Sequence, residues 1–138
     1  MDVQSSVLAN DFLEAEVIRQ SGTVLCRAKK TYITTEAFKS FFKDLGSIIA
    51  EVGASKLIFD KTSLSVFDQE AMEWYHTHWK EDMLTKGLKH HRKILPNDPL
   101  FETSVKIGRQ KILENNPNFD FDKFDIQYCD SVEEAMSK

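Results

Sequence analysis

The sequence is short of most features that mark a specialised chain. It has two cysteines, Cys26 and Cys129, far apart in 138 residues. Two isolated thiols exclude a disulfide framework and suit a reducing cytoplasm. The five glycines are scattered singly, so no Gly-rich phosphate loop is present. No CxxC, HExxH or GxSxG spacing occurs, which removes the commonest metal and nucleophile motifs. No stretch of eighteen apolar residues exists, and the reading is therefore of no membrane insertion. Nor is there an excess of basic charge. Eighteen Lys and Arg stand against twenty-two Asp and Glu, a formal net charge of −4. That balance gives no overall attraction to nucleic acid or anionic lipid. The opening residues, MDVQSSVLAND, carry an acid at position 2 and no long apolar core, so no signal peptide is expected and the expected location is cytoplasmic.

What is present is an ordinary globular composition, 41% hydrophobic and 29% charged, consistent with one folded domain. Residues 1–11 are polar and read as a loose N-terminal arm, leaving residues 12–138 as a single α/β domain. Within it FLEAEVI alternates, Leu13, Ala15 and Val17 opposing Glu14 and Glu16. A turn cluster at Gln20–Gly22 separates it from TVLCRAKK, and the two predict a β-hairpin. Phe38, Phe41, Phe42, Leu45, Ile48, Ile49 and Val52 recur at helical spacing. Thr34 or Thr35 can cap that helix and Gly53 can stop it. KLIFD follows, three apolar residues without alternation, as in a strand covered on both faces.

The second helix is expected to start near Ser65 or Asp68, an S-x-x-D capping pattern, and to run to Gly87. Its inner stripe is Met72, Tyr75, Trp79 and Met83, widened by Ala71, Trp74 and His78. A short strand, HRKIL, ends at Pro96. Asp98–Pro99 opens a third helix bearing Phe101, Val105, Gly108 and Ile112. FDIQYC is the last strand, and Ser131 with Glu134 launches a short terminal helix. The order ββαβαβαβα predicts a mixed, mostly parallel sheet of about five strands with about four helices.

Candidate chemistry is sparse. His76 and His78 lie on different faces of a helix, and His90 and His91 on opposite faces of a strand, so neither pair can clasp a metal ion. Cys26 reads as a packed strand residue, and Cys129 lies near an acidic helix that would raise its pKa. No catalytic residue, metal site or cofactor is expected. Lys86, Lys89, His90, His91, Arg92 and Lys93 form a local basic cluster, read as a solvated rim rather than a polyanion site. Trp74 and His78, four apart, border the core of the aromatic-rich second helix. They could face a homodimer mate, another protein or an apolar ligand.

The phenylalanine-rich first helix, the LIFD strand, the Trp-bearing second helix, the KILP strand and the closing YCDSVEEAM join resemble, as a set, the SpoIIAA-like family of the STAS domain fold. The likeness spans nearly the whole chain and is greatest to the family's uncharacterised bacterial branch. In phospho-switched members a serine follows an aspartate at the start of the helix after this strand. The resemblance places Asp68 at the aspartate, Gln69 at the acceptor serine and Ala71 at a following glycine. Gln69 has no hydroxyl to phosphorylate. Ser63 and Ser65 remain nearby, with helix capping the expected role of Ser65. The resulting expectation is a non-catalytic regulatory or protein-interaction domain. Its candidate surface comprises Ser63, Ser65, Asp68, Gln69, Trp74 and His78. A small apolar-ligand carrier or sensor is the alternative, and an enzyme would require ionisable residues gathered in a cleft.

Overall fold

The structure is a computed structural model that describes residues 4–138. Among the described residues six strands form one sheet in sequential order: β1 (Gln4–Ala9), β2 (Leu13–Ile18), β3 (Thr23–Ala28), β4 (Lys56–Asp60), β5 (His90–Ile94) and β6 (Asp125–Tyr128). The first two pairings are antiparallel and the last three parallel. The α/β class and mixed sheet match the sequence pattern. Part of the expected loose arm instead forms β1, giving six strands rather than five. Gln4 pairs with Ile18 and Ala9 with Glu14, with a register shift between Ser6 and Leu8. This edge strand escapes a periodicity search because its few apolar residues, Val7 and Leu8, only half-pack against the core. Residues 1–3 of that arm lie outside the described residues.

Each parallel connection carries a helix. Helix α1 (Thr35–Val52) joins β3 to β4, and Thr34 Oγ1 accepts its Ala37 N–H at 3.2 Å. Gly53, at φ +70°, ends it as expected by donating to Ile49 O. The second helix is continuous but not uniform: α2 (Gln69–Trp74), a π-helical turn (Tyr75–Trp79) and α3 (Lys80–Thr85). Helix α4 (Pro99–Asn115) joins β5 to β6, capped by Asp98, whose Oδ1 accepts the Leu100 N–H at 3.0 Å. Strands laid down in sequential order by crossovers of one hand place all their helices on one face. The main core accordingly joins Phe38, Phe42 and Leu45 of α1, Tyr75 and Trp79 of the π turn and Phe101 of α4 to Val24, Leu57 and Phe59 of the sheet.

The opposite face is covered only in part. Helix α5 (Val132–Ser137), capped by Ser131, packs Ala135 against Ile58 and Ile94. KLIFD is therefore enclosed on both sides, Leu57 and Phe59 under the large helices and Ile58 under α5. Beyond α5 this face is polar, with Arg27 paired to Glu16 and Asp60.

The π turn changes which residues point inward. Its hydrogen bonds close loops one residue longer than those of an α-helix, so the face it turns to the core is broader and takes in Tyr75, His76 and Trp79 together. Met72, Tyr75, Trp79 and Met83 are buried as the spacing predicts. His76 and Lys80, which that stripe omits, are buried as well, both at 0% exposure. His78, expected at the margin of the widened stripe and partly exposed, is exposed.

Candidate functional site

The residues singled out in sequence do not form one site. Ser63 and Ser65 are exposed in the loop after β4. Capping belongs to Asp68 and not to Ser65: Asp68 Oδ2 accepts the Ala71 N–H at 2.8 Å and also the Thr35 hydroxyl, tying α2 to α1. Ser65 is instead held through its backbone, donating to Thr31 O at 2.9 Å. Gln69 Nε2 donates to Gly108 O at 3.1 Å and joins α2 to α4. Trp74 is half-buried, edge-on to Phe38 with Lys39 above its ring. Trp74 and His78 do come together, in a surface groove of about 350 Å³ between α1 and the second helix.

A different set of residues converges at the C-terminal edge of the parallel strands. Lys61 follows β4, Lys93 lies on β5, His76 and Lys80 come from the π turn and α3, and Arg109 from α4. Lys61, His76, Lys80 and Lys93 are all buried. The expected solvated rim holds for Lys86 and Lys89, which are exposed, but is corrected for His91, Arg92 and Lys93, each 2% exposed or less. β5 is hydrogen-bonded on both edges by β4 and β6, and its faces are covered by the large helices on one side and α5 on the other. Arg92 points to the α5 side, where Asp125 Oδ2 at 2.9 Å and the carbonyls of His91, Asp125 and Lys138 accept its hydrogen bonds. His91 and Lys93 point to the helix side.

That helix-side cluster has no acid. Among the described residues, none of Lys61, Lys80, Lys93 or Arg109 forms an ion pair with a carboxylate. The amines rest on aromatic faces instead: Lys80 Nζ lies 4.9 Å from the Tyr75 ring centre and Lys61 Nζ 4.9 Å from that of Phe59. Burying an ammonium without a counter-charge costs several kcal/mol, so the group sheds its proton. Burial, and then the charge of neighbouring cations, hold Lys80 and Lys93 well below the ordinary lysine range. Burial lowers Lys61 to about 8. His76 and His91 are held well below the histidine range by burial and then by these lysines.

The hydrogen bonds fix one tautomer. His76 Nδ1 lies 2.9 Å from Met72 O, which can only accept, so Nδ1 carries the proton. The neutral ring then presents its Nε2 lone pair to Lys93 Nζ at 3.0 Å. Lys93 is the donor of that bond.

Lys61, His76, Lys93 and Arg109 line a cavity of about 10 Å³, room for at most one water. Outside it lies a cleft of about 680 Å³ between α4 and the ends of β5 and β6, with Glu102, Lys106 and Asp130 on its rim. Cavity and cleft share Leu95, Val105, Arg109 and Tyr128. Arg109 Nη1 donates to Tyr128 Oη at 3.3 Å, and the guanidinium stacks 4.3 Å from the Phe121 ring centre. This pair forms the partition between an open cleft and an enclosed basic chamber. Such an arrangement can hold an anionic group on Arg109 and present unprotonated amines behind it.

One signal for the chamber was available in sequence. A strand between two helical segments of a mostly parallel pattern has helices over its faces, and the alternation of HRKIL puts His91 and Lys93 together on one of them. No protein-family model matches the chain, and no curated protein matches it significantly.

Proposed function

We propose that this chain is a STAS-like, non-catalytic regulatory domain that responds to a small anionic ligand held in the cleft at the C-terminal edge of its sheet. The observation that carries the reading is the acid-free basic chamber opening, through Arg109 and Tyr128, onto a cleft of about 680 Å³. Ligands of open α/β sheets bind outside the carboxyl ends of the strands, where this cleft lies. An anion supplies the charge the chamber lacks. The ligand class of the alternative sequence reading changes accordingly, from apolar to acidic. The STAS-like reading is supported by the hairpin-then-βα order, the enclosed KLIFD strand and Gln69 at the first position of α2.

Titrating the full-length protein with lactate and acetate, followed by calorimetry in two buffers of different ionisation enthalpy, tests the proposal. Saturable binding with net proton uptake is expected, because a bound carboxylate raises the pKa of the amines beside it. Arg109→Gln should weaken binding at least tenfold, the loss of one charge-assisted hydrogen bond. Absence of saturable binding by any small carboxylate would sink the reading.

The groove holding Trp74 and His78 favours a second role, contact with a protein partner or a second copy of the chain. Sedimentation of Trp74→Ala beside the unaltered protein tests it. An unchanged mass and unchanged partner capture would remove this surface from consideration.

A further inference from the structure

Within the chamber Lys93 stands apart from a simple anion-binding lysine. Its Nζ is buried, it donates to a neutral imidazole at 3.0 Å, and among the described residues no carboxylate pairs with it. The adjacent Lys80 Nζ is buried too and among those residues has no carbonyl or carboxylate acceptor, only the Lys93 amine beside it. An ammonium in such surroundings is unstable, whereas a neutral amine is well accommodated and keeps a lone pair. Desolvation together with neighbouring cations is what turns a lysine into a nucleophile toward carbonyl carbon. The direction of the Lys93 shift, down through burial and then through Lys80, Lys61 and Arg109, agrees with that geometry.

Arg109 and Tyr128 supply the second half of a recognition site. A guanidinium and a phenol at the mouth suit a carboxylate, and Lys93 lines the cavity directly behind them. Entry requires the Arg109–Tyr128 hydrogen bond to open, and at 3.3 Å it is already long. Resting on the ligand reading above, we propose that the cleft takes a 2-oxo acid, carboxylate on Arg109, and that Lys93 captures its keto carbon as a reversible imine.

The step balances without oxidant or reductant. The Lys93 lone pair adds to the carbonyl carbon, and the C=O π pair moves to oxygen. His76 Nε2, already hydrogen-bonded to the amine, accepts one N–H proton and passes it to that oxygen, giving the neutral carbinolamine. The nitrogen lone pair then forms the C=N bond and expels the hydroxyl, while His76 Nε2 relays the second N–H proton to the departing oxygen, which leaves as water. Ketone and amine give imine and one water, and hydrolysis reverses it. Bound this way, a carbonyl acid is distinguished from the corresponding hydroxy acid, which Arg109 alone would hold.

Pyruvate with sodium cyanoborohydride, applied to the full-length protein at neutral pH, tests the capture. Reduction of the imine leaves a stable secondary amine, read by intact mass and by peptide mapping. The expected result is a single adduct on Lys93, reduced severalfold by excess lactate, absent in Lys93→Met and retained in Lys61→Met. Mapping of the unaltered sequence locates the adduct even if a variant fails to fold. Labelling confined to exposed lysines such as Lys89 and Lys106, or an adduct on Lys61, overturns the assignment to Lys93. Lactate binding that Arg109→Gln weakens, without pyruvate trapping, overturns the imine and leaves the anion-responsive domain standing. If neither acid binds, both fall.

Discussion

Lys61 illustrates the cost of assembling the basic chamber. Its folded pKa of about 8 lies below the unfolded value near 10.5. The unfolded chain therefore binds more protons between these limits, and stability rises with pH across that window. Below pH 8 the penalty is fully present, about 3 kcal/mol at one pKa unit per 1.36 kcal/mol. Lys61→Met should raise stability at pH 7 by about 1–3 kcal/mol and flatten the slope between pH 8 and 10.5. Urea unfolding at several pH values measures both. Asp125 has the opposite sign. Hydrogen bonds from His90 and then Arg92 hold its carboxyl at about 2. Its contribution is present above the ordinary carboxylate value near 3.8 and is lost as pH falls through 2. Asp125→Asn should therefore lower stability at pH 7 while weakening its dependence on acid between pH 4 and 2, as acid titration of circular dichroism would register. Gly108 gives a steric test. A Cβ there would lie 2.8 Å from Gln69 Oε1 and 3.1 Å from the Phe67 ring. Gly108→Ala should cost about 1–3 kcal/mol through overpacking, despite the roughly 1 kcal/mol that alanine favours in a helix interior. Adding Gln69→Ala should recover part of that loss, which a thermal double-mutant cycle would reveal.

Among the elements, the second helix departs furthest from its sequence pattern. Apolar spacing located it, and Met72, Tyr75, Trp79 and Met83 are buried as that spacing requires. Its start and its centre were harder to read. Both Ser65 and Asp68 satisfy the chemistry of a cap, and only the backbone path decides between them. Ser65 donates its N–H to Thr31 O, while Asp68 reaches Ala71 N and the Thr35 hydroxyl. Asp68→Ala should cost about 1–2 kcal/mol and Ser65→Ala close to nothing, a contrast that thermal unfolding resolves. The π turn was hidden because His76 and Lys80 are polar residue types that an apolar stripe omits, although His76 falls four residues after Met72 and three before Trp79, on the inner face. β5 hid the chamber for a related reason: charged side chains on a short strand look solvated until the strand's neighbours are known. The hairpin, α1, the caps at Asp98 and Ser131 and the last strand were all legible, since their signals are local. What escaped depended on tertiary placement. Neither a strand's rank in the sheet nor the π-helical broadening of one turn is written in adjacent residues.

At the scale of the whole molecule, the parts assign different work to the two faces of the sheet. One face carries α1, α4 and the second helix and, between them, the cleft and its chamber. The other is half closed by α5, with Lys56 Nζ donating to the carbonyls of Ala135 and Met136. The consequence of sequential strand order reaches back to how the chain is made. Because every strand lies beside the one translated just before it, each βα unit emerging from the ribosome meets a finished template rather than a gap awaiting a later segment. Assembly can therefore advance in step with synthesis, and Lys93, on the fifth of six strands, is enclosed among the last.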